Sequence, residues 1–379
     1  MSIRVTAHAR LHFGFLDLSE DAAGRRFGGL GMALSKPRLM IRLERGRGLE
    51  VEGPLRERIE SMALRVHRAL ELKPQTRIIV EEAIPEHVGL GSGTQMALAL
   101  ATGIARQRGI DQPVARLCAL AGRAQRSGVG FHLFQAGGLV VEGGHVRGGM
   151  AFEVPPLLAR HEVPEDWRIV IAIPQSAETV SGDMEEAAFR RLRPAASVTV
   201  ERISRAVLTR LLPALVSRDL PSFGSALTEL QDLVGGCFAA VQDGAYHPAA
   251  APLVRLLKEK KACGVGQSSW GPAVYAFAGD AREEKRLMGL LAAAAPGAIL
   301  IKARPHNEGA LRPGVRAGAE ARAAKENGRG AGNGRRVSGR DRASGRTSER
   351  TSRMTHPTPP PSAARRTGSR PRRRRSLQD

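Results

Sequence analysis

The chain has 379 residues, with 58 Lys and Arg against 37 Asp and Glu, which gives a formal net charge of +21. Its three cysteines are too few and too widely spaced for a disulfide framework or a zinc site, and no apolar run is long enough to span a bilayer. These features exclude a disulfide-rich secreted scaffold and a membrane-spanning protein. We therefore expect a cytoplasmic protein without a membrane partner.

The positive charge is concentrated in the last part of the chain. Residues 311–379 hold 19 of the Lys and Arg residues but 5 of the Asp and Glu residues, and they are rich in Gly, Ser and Pro. Such a composition predicts a disordered basic tail. A basic tail can bind RNA, anionic lipid or an acidic partner. The favoured interpretation is a non-catalytic extension that makes nonspecific nucleic-acid contacts at most.

Before the tail, strand-like and helix-like segments alternate, which is typical of an α/β protein with a substantial core. The first half is predicted to contain strands at 3–9, 38–44, 49–52, 77–83 and 139–142 and helices at 55–72, 94–108 and 114–125. The second half is predicted to contain strands at 167–173, 273–278 and 298–303 and helices at 198–216, 222–241, 253–261 and 282–295. A helix that begins at Ser181 and a flexible polar loop at 264–271 are also predicted in the second half.

The most informative segment runs from Pro85 to Gln95, Pro-Glu-His-Val-Gly-Leu-Gly-Ser-Gly-Thr-Gln, between a predicted strand and an apolar helix. Backbone amides at the start of a helix, together with the helix dipole, hold phosphate or pyrophosphate, and glycines permit close approach of the ligand. Ser92 and Thr94 add hydroxyl groups for phosphate oxygen or a metal ion. The alternative is a simple helix cap by one of these two residues. The spacing fits neither a P-loop nor a dinucleotide-binding loop.

This segment resembles the second motif of the GHMP superfamily of small-molecule kinases, written roughly P-x-x-x-G-L-G-S-S. The run 7–14, Ala-His-Ala-Arg-Leu-His-Phe-Gly, lies where the superfamily has its first motif, and 264–272, Gly-Val-Gly-Gln-Ser-Ser-Trp-Gly-Pro, lies where it has its third. The resemblance implies an α/β (α+β two-layer) fold with two domains. The first, at 1–155, resembles domain 2 of ribosomal protein S5 and carries the phosphate-binding loop, and the second, at 156–310, is ferredoxin-like.

One position departs from the kinase pattern. Many kinases of the superfamily carry S-G-x-x-D after the second motif, with the Asp as base toward the hydroxyl that is phosphorylated. Here the run from Ser127 to Phe131 ends in a phenyl ring, which cannot accept a proton. An ATP-dependent small-molecule kinase stays as the alternative enzyme, because some members work without this Asp.

A divergent branch of the superfamily, the β-ribofuranosylaminobenzene 5'-phosphate synthases of methanopterin biosynthesis, fits best. The resemblance rests on the runs 10–18, 25–31, 89–95, 126–130, 137–138 and 266–272. It implies a phosphoribosyl-transferring enzyme that condenses phosphoribosyl pyrophosphate with 4-aminobenzoate or 4-hydroxybenzoate and releases pyrophosphate and carbon dioxide. We expect Mg²⁺ as the cofactor and a homodimer as the assembly.

That chemistry suggests roles for residues within the motifs. Loss of pyrophosphate needs amides and cations at the leaving group, and a carboxylate substrate favours an arginine, whose two N–H groups match two oxygens. The predicted catalytic residues are Arg10, His12, Asp17 and Arg126. The predicted phosphate-binding residues are Gly89, Gly91, Ser92, Gly93, Thr94, Gln95, Ser127 and Gly128. The predicted substrate-binding residues are Arg26, Gly266, Gln267, Ser268, Ser269 and Trp270.

Each of these roles has a simpler alternative. An arginine can be a solvated or ion-paired surface residue, and His12 can be a hydrogen-bonded core residue. Asp17 can close a turn, and Trp270 can be a buried anchor rather than a ring that stacks on the benzoate. Three acidic residues after the strand at 167–173 can be metal ligands or first-turn residues of a helix: Glu178, Asp183 and Glu185. Outside enzymes, the alternative is a basic-tailed nucleic-acid-binding protein with a vestigial catalytic body.

Overall fold

The computed structural model describes residues 2–19, 24–146, 153–175, 187 and 189–310. These residues belong to one compact unit. The predicted tail and the predicted helix that begins at Ser181, with the three acidic residues around it, lie outside the described residues. Within the described part, no helix is both long and apolar enough to cross a membrane.

Seven strands form the first sheet, and β2 is its central member. The strands are β1 (Ile3–Asp17), β2 (Arg25–Arg45), β3 (Leu49–Glu52), β4 (Thr76–Glu82), β5 (Leu139–Glu142), β6 (His145–Val146) and β7 (Leu157–His161). Their order is β3-β4-β2-β5-β7, with β1 and β6 also paired to β2. All pairs are antiparallel except that of β3 with β4.

β1 shows why the apolar alternation in the sequence forms a strand. Val5, Ala7 and Ala9 point into the core while the residues between them are partly exposed, as the two-residue period of a strand requires. The pairing of β1 with β2 has irregularities between His8 and Arg10 and between His12 and Gly14. An extra residue in a strand re-aims the neighbouring side chains. The second irregularity therefore sets the direction of the His12 ring.

Four helices follow the first strands: α1 (Arg56–Ala69), α2 (Ser92–Gln107), α3 (Val114–Leu120) and α4 (Val129–Ala136). α2 packs against β1 and β2 and against α1, α3 and α4. Nearly every residue of α2 after its first turn is buried, as expected for a helix that is apolar on all sides. The N-terminus of α2, which carries the glycine-rich segment, is consequently held in place by the core.

The second sheet has four antiparallel strands in the order β11-β8-β10-β9. They are β8 (Arg168–Ile173), β9 (Cys263–Gln267), β10 (Val274–Ala278) and β11 (Ile299–Ala303). The helices are α5 (Ser197–Arg205), a π-helical segment (Ala206–Leu211), α6 (Leu212–Val216), α7 (Leu220–Phe238), α8 (Ala251–Glu259) and α9 (Ala281–Ala294). If the four strands are numbered by their order in the chain, they lie side by side in the order fourth, first, third, second. Helices follow the first and the third strand. This is the ferredoxin-like layer that the resemblance implies.

The structure corrects several predicted elements. The predicted flexible loop at 264–271 begins with the buried strand β9, and its glycines serve close packing, since a Cβ on Gly264 would lie 2.8 Å from Phe277 Cδ2. α3 ends at Leu120 rather than at 125, just before Gly122 takes a positive φ of 65°. α4, β6 and β7 were not predicted. β7 pairs with β5 of the first sheet, and the domain boundary between 155 and 156 stays a prediction.

The second and third motifs touch through two glycines. A Cβ on Gly271 would lie 2.0 Å from the carbonyl carbon of Val88 and 2.2 Å from the amide nitrogen of Gly89. A Cβ on Gly89 would in turn lie 2.0 Å from the carbonyl oxygen of Ser268. Backbone atoms cannot yield as a flexible side chain can, so both positions require glycine.

We expect Gly271→Ala to lower the free energy of unfolding by about 1–3 kcal/mol or more, because the added methyl group must separate two backbones. The matched control is Gly289→Ala in α9, where a Cβ meets no atom within 4 Å. That change should raise stability by up to about 1 kcal/mol, since alanine favours a helix interior. Urea unfolding of both variants measures the difference, and equal stabilities would contradict the packing.

Candidate active site

The segment 85–94, called the glycine loop below, ends in an uncapped helix N-terminus. Gly91 precedes α2 with a φ of 79°, and no side chain caps the helix by a hydrogen bond. The structure therefore does not contain the simple helix cap by Ser92 or Thr94 that was the alternative. The first N–H groups of a helix lack intrahelical acceptors and carry its positive partial charge. The loop thus presents a cradle suited to an anion.

Three guanidinium groups surround this cradle. Arg10 of β1 lies across Gly91, where a Cβ would be 2.9 Å from its Cγ and 3.0 Å from its Nε, and its Nη1 donates to the Gly89 carbonyl at 3.3 Å. A Cβ on Gly93 would lie 3.3 Å from Arg58 Nη2 and 3.7 Å from Arg123 Nη1. Of the three, the sequence analysis singled out Arg10 alone.

Part of this positive charge is balanced within the loop itself. Arg58 forms an ion pair with Glu86, and its Nη1 lies 3.0 Å from His87 Nε2. The ion pair is partly exposed, so its contribution to stability is small. Its effect is to hold the Arg58 guanidinium beside the helix N-terminus through Glu86, which is itself a residue of the loop.

Ser268 joins the glycine loop to β1. Its hydroxyl donates to the Gly89 carbonyl at 2.8 Å and accepts the backbone N–H of His12 at 3.1 Å. The next residue, Ser269, donates its N–H to the His12 carbonyl at 3.1 Å. Ser268 is fully buried. Ser268 was predicted to bind substrate, and in the structure it connects the three motifs. Ser269, by contrast, is partly exposed and lines a cavity.

Gln267 and Gly266 support this connection from behind. The Gln267 side chain accepts the His247 N–H at 2.6 Å and donates to the Ser269 carbonyl at 3.0 Å. A Cβ on Gly266 would lie 2.4 Å from Tyr275 Oη. Both predicted substrate contacts are therefore buried, and the amide of Gln267 is engaged by the protein itself.

His12 is held as a neutral ring in one tautomer. Its Nδ1 accepts the backbone N–H of Gly14 at 3.1 Å, so the ring proton lies on Nε2, which donates to Ser127 Oγ at 3.0 Å. Burial, together with the charge of Arg10, keeps the pKa of His12 well below its usual value. Both ring nitrogens are therefore hydrogen-bonded within the protein, which agrees with the alternative that His12 is a core residue. His12 also lines the cavity that is described below.

Glu142 of β5 lies behind Ser127 and was not predicted. It is fully buried, its Oε1 accepts the Gly128 N–H at 3.3 Å, and its Oε2 accepts the Gly144 N–H at 2.6 Å. Burial raises the pKa of Glu142 to about 7. The hydrogen bonds from these two amides and from Ser127, and the charge of Arg25, lower the pKa and offset part of this rise. No sequence pattern marks it, because it stands in an ordinary apolar strand.

An aromatic cluster adjoins the His12 ring. It consists of Phe15, Phe27, Phe189, Phe238 and Trp270, whose rings contact one another with centroids 4.8–6.2 Å apart. The Arg126 guanidinium lies 4.7 Å from the centre of the Phe189 ring, and the Arg26 guanidinium lies 4.4 Å from that of Phe27. The cluster therefore gathers four predicted residues, His12, Arg26, Arg126 and Trp270, around one apolar surface.

Two buried donors in this region lack acceptors. Trp270 Nε1 and Arg126 Nη1 are inaccessible to solvent and have no hydrogen-bond partner among the described residues. Both side chains contact Phe189, since its ring centre lies 5.3 Å from that of Trp270. A buried donor without an acceptor is costly, so a ligand that brought acceptor atoms to these two donors would remove that cost.

A cavity of about 30 Å³ lies between β1, α7 and the third-motif loop. Its lining residues carry no charged side chain. They include His12, Phe238, Tyr246, Ser269 and Trp270. A neutral lining of this kind does not suit phosphate, and a space of this size accepts water molecules rather than a whole ring.

The remaining predicted residues take supporting places. Asp17 accepts both the N–H and the hydroxyl of Ser19, at 2.8 and 2.7 Å, and so closes a turn, as its alternative role requires. Gln95 is buried and donates to the Gly130 carbonyl at 2.9 Å. Thr94 packs its methyl group on Gly130, where a Cβ would be 2.9 Å away. Gly128 immediately precedes α4.

The described residues contain no group of three His, Cys, Asp or Glu side chains that could hold a metal ion. The oxygen donors beside the glycine loop are the hydroxyls of Ser92 and Thr94 and the carboxylate of Glu86. Mg²⁺ commonly keeps several waters and is held by one or two carboxylates together with substrate phosphates. These residues therefore fit a magnesium ion that enters with a phosphorylated substrate.

Comparison with known proteins places the chain. The model of the GHMP kinases N terminal domain matches residues 57–135, and that of the GHMP kinases C terminal domain matches residues 211–289. The beta-ribofuranosylphenol 5'-phosphate synthase of Methanothermobacter thermautotrophicus is 32% identical over 290 residues, covering 72% of this chain and 87% of the relative. The chain belongs to the beta-ribofuranosylphenol 5'-phosphate synthase family. The synthase of Archaeoglobus fulgidus, 31% identical over 73% of this chain and 87% of its own length, agrees.

Solved structures confirm the fold of this synthase family as that of the GHMP kinases. The mevalonate kinase of L. major, solved with R-mevalonate, has a TM-score of 0.61 at 12% identity and covers 80% of this chain and 97% of its own. The Streptococcus pneumoniae phosphomevalonate kinase has a TM-score of 0.58 at 13% identity, over 80% and 99%. The names of the sequence relatives, by contrast, are those of enzymes that synthesise a ribofuranosyl phosphate compound.

Replacing Arg58 or Arg123 by Gln should weaken the binding of inorganic pyrophosphate by about tenfold each, equal to about 1.4 kcal/mol, because each removes one cation from the helix N-terminus. The loss should be larger for Arg58→Gln, since it leaves Glu86 unpaired beside the anion. Calorimetric titration with and without Mg²⁺ measures both. Arg116→Gln, on the exposed face of α3, is the control, and unchanged affinity in both loop variants would refute the cradle.

Glu142 should make stability depend on pH. Because its folded pKa lies near 7 and above its usual 4.5, the folded state binds its proton more tightly, and its contribution to stability is lost as the pH rises from about 4.5 to 7. Relative to Glu142→Gln, the wild-type free energy of unfolding should fall by about 2–3 kcal/mol between pH 5 and pH 8. Urea unfolding at both values tests this, and a pH-independent difference would contradict it.

Proposed function

We propose that the chain condenses phosphoribosyl pyrophosphate with a 4-substituted benzoate to a C-riboside 5'-phosphate, releasing pyrophosphate and carbon dioxide, in tetrahydromethanopterin biosynthesis. The observation that carries the proposal is that one loop joins two unlike sites: Gly271 packs on the backbone of Val88 and Gly89, and the preceding Trp270 belongs to the aromatic cluster. The glycine loop with its three arginines suits a pyrophosphate, and the adjoining aromatic cluster with its unpartnered donors suits an aromatic acid. The relatives are named for a phenol product, which favours 4-hydroxybenzoate over 4-aminobenzoate.

The reaction as proposed needs no base. The bond between the ribose anomeric carbon and pyrophosphate breaks, and its electron pair leaves with pyrophosphate. The ring carbon that carries the carboxylate then donates an electron pair to the anomeric carbon. Loss of carbon dioxide returns the electrons of the broken carbon–carbon bond to the ring. No net proton transfer occurs, which agrees with a site where Phe131 is a buried core residue and His12 has both nitrogens engaged.

The glycine loop supplies the electrostatic part of this chemistry. The free N–H groups of α2 and the guanidinium groups of Arg10, Arg58 and Arg123 would stabilise the charge that develops on the leaving pyrophosphate. A magnesium ion would add further neutralisation of that charge. Since Ser268 and the Gly271 contact fix the loop, its donors need little rearrangement when the anion arrives.

The aromatic cluster supplies the positioning part. A benzoate ring beside Trp270 and Phe189 would place its carboxylate within reach of a guanidinium. Arg126 is the candidate, because it lies over Phe189 and its buried Nη1 has no acceptor among the described residues. Arg26, over Phe27 and exposed to solvent, is the second cation at this rim. Holding two reactants in one orientation contributes a large part of the rate in such a bimolecular step.

The direct test incubates the full-length chain with Mg²⁺, phosphoribosyl pyrophosphate and carboxyl-labelled 4-hydroxybenzoate or 4-aminobenzoate. We expect labelled carbon dioxide and pyrophosphate in equal amounts. If neither forms while ATP is consumed with small-molecule alcohols, the chain is a kinase instead. If neither activity is found but the chain binds RNA in low salt, the alternative of a vestigial catalytic body holds.

Kinetics of single variants should separate the two sites. Arg126→Gln should raise KM for the benzoate by about 10- to 100-fold, the range expected for a lost charged hydrogen bond, and leave KM for phosphoribosyl pyrophosphate nearly unchanged. Arg58→Gln should do the reverse. Arg116→Gln should change neither value. Equal changes in both KM values for either site variant would contradict the assignment of separate sites.

A further inference from the structure

Two neighbouring residues of the glycine loop share one nitrogen of Arg58. Arg58 Nη1 forms the ion pair with Glu86 and lies 3.0 Å from His87 Nε2. Neighbouring side chains of an extended chain point to opposite sides. His87 instead has a positive φ of 57°, and this turn lets both side chains reach the same atom. Because a guanidinium has donors only, with two N–H groups on Nη1, these two acceptors use both of them.

The other terminal nitrogen of Arg58, Nη2, lies at the start of α2. It is 3.3 Å from the place that a Cβ on Gly93 would take, and both terminal nitrogens of Arg123 are 3.7 Å from that place. Nη2 makes no hydrogen bond among the described residues. Two guanidinium groups therefore converge on a space in the first turn of α2 that glycine leaves without a side chain. Arg58 has one nitrogen on Glu86 and the other at the anion cradle.

Glu86 consequently opposes an anion that binds in this space. Such an anion would share the Arg58 guanidinium with the Glu86 carboxylate, and the two negative groups repel each other. The loop cannot easily carry the carboxylate away, because the backbone of Gly271 packs against that of Val88 and Gly89. A negative charge is thus held at the rim of a site that otherwise suits negative charge.

The carboxylate attracts the same anion once that anion carries a magnesium ion. Mg²⁺ cancels two negative charges of a polyphosphate, and it is commonly held by one or two carboxylates together with phosphates. We propose that Glu86 is a specificity-determining residue of the glycine loop, which makes the cradle prefer magnesium-bound pyrophosphate over the bare anion. The identity of the anion rests on the proposed function, whereas the reaction that follows binding plays no part.

A simpler role for Glu86 would be to hold Arg58 in place, and the two roles lead to opposite results. The amide oxygen introduced by Glu86→Gln can still accept from Nη1, and His87 keeps its contact with Arg58. The variant therefore removes the negative charge while Arg58 stays beside α2. If Glu86 opposes the bare anion, bare pyrophosphate should bind the variant more tightly than the wild type. If Glu86 only positions Arg58, it should bind equally well or more weakly.

The first experiment titrates the full-length protein with inorganic pyrophosphate by calorimetry, either with Mg²⁺ or with NaCl at the same ionic strength, because salt screens these charges. We expect Mg²⁺ to raise the affinity of the wild type by about tenfold or more. Glu86→Gln should bind bare pyrophosphate about tenfold more tightly than the wild type does, and its gain from Mg²⁺ should fall to about twofold or less. A variant that shows no tighter binding of the bare anion, or that keeps the wild-type gain, would overturn the inference.

Glu229→Gln is the matched control. Glu229 of α7 forms an ion pair with Arg210 of the π-helical segment, so this variant makes the same change of net charge in a different part of the fold. Both of its affinities should equal those of the wild type. If it binds bare pyrophosphate as tightly as Glu86→Gln does, net charge alone explains the effect and the role of Glu86 is refuted.

The second experiment combines the two loop substitutions. Arg58→Gln leaves Glu86 without its partner beside the anion, so this variant should bind bare pyrophosphate most weakly. Adding Glu86→Gln to it should recover a factor of about three or more, because the substitutions act on one shared interaction and are not additive. A double variant that binds as weakly as Arg58→Gln alone would contradict the repulsion.

The synthase assay separates this inference from the proposed function. If the affinities follow Glu86 as expected but no carbon dioxide is released, the proposed reaction is wrong and the preference for the magnesium complex stands. If the chain is an active synthase and the affinities ignore Glu86, the proposed function stands and the inference falls. If the wild type binds pyrophosphate in neither condition, the cradle is wrong and the inference falls with it.

Discussion

The hydroxyl of Ser268 joins three segments that are far apart in the chain. It bridges the Gly89 carbonyl and the His12 amide, while Gly271 brings its backbone against that of Val88 and Gly89. Backbone hydrogen bonds join the same three segments, from the Arg10 N–H to the Leu90 carbonyl and from the Ser269 N–H to the His12 carbonyl. The anion cradle, the direction of the His12 ring and the place of Trp270 all depend on it. The connection is made by neutral, buried groups, so it needs no ion pair.

The motif residues could be predicted from the sequence because their chemistry is local. Glycines before an apolar helix favour an anion cradle in any fold, and the structure places such a cradle at the start of α2. β3 and β5 agree with their predicted bounds because each is a short strand pattern, alternating in β3 and apolar in β5, with a glycine on either side. β9 was missed for an equally local reason: its two glycines are typical of flexible loops, whereas here they make room for Tyr275 and Phe277.

The residues that were missed depend on contacts between distant segments. Arg58 and Arg123 come from α1 and from the turn after α3, and nothing near them in the sequence indicates a phosphate. Glu142 stands in an apolar strand, and its contact with the Gly128 amide comes from a segment that lies 14 residues earlier. Asp17 was predicted to be catalytic because it lies within a motif, whereas its hydrogen bonds with Ser19 in the structure are those of a turn residue. Glu142 also shows a conflict within the fold, because the ionised form that suits the hydrogen bonds is the form that burial penalises.

The frame around the site is built from uncharged hydrogen-bonding residues, among them Gln95, Gln267 and Ser268. The frame should therefore respond to salt differently from the charged site. Dissolved ions screen the attraction between exposed charges over about 10 Å at 0.1 M but act weakly on buried neutral hydrogen bonds. Rising ionic strength should therefore loosen the hold of the arginines on an anion while the frame keeps its geometry. An enzyme of this design would lose affinity in concentrated salt, yet retain the turnover rate of whatever substrate remains bound.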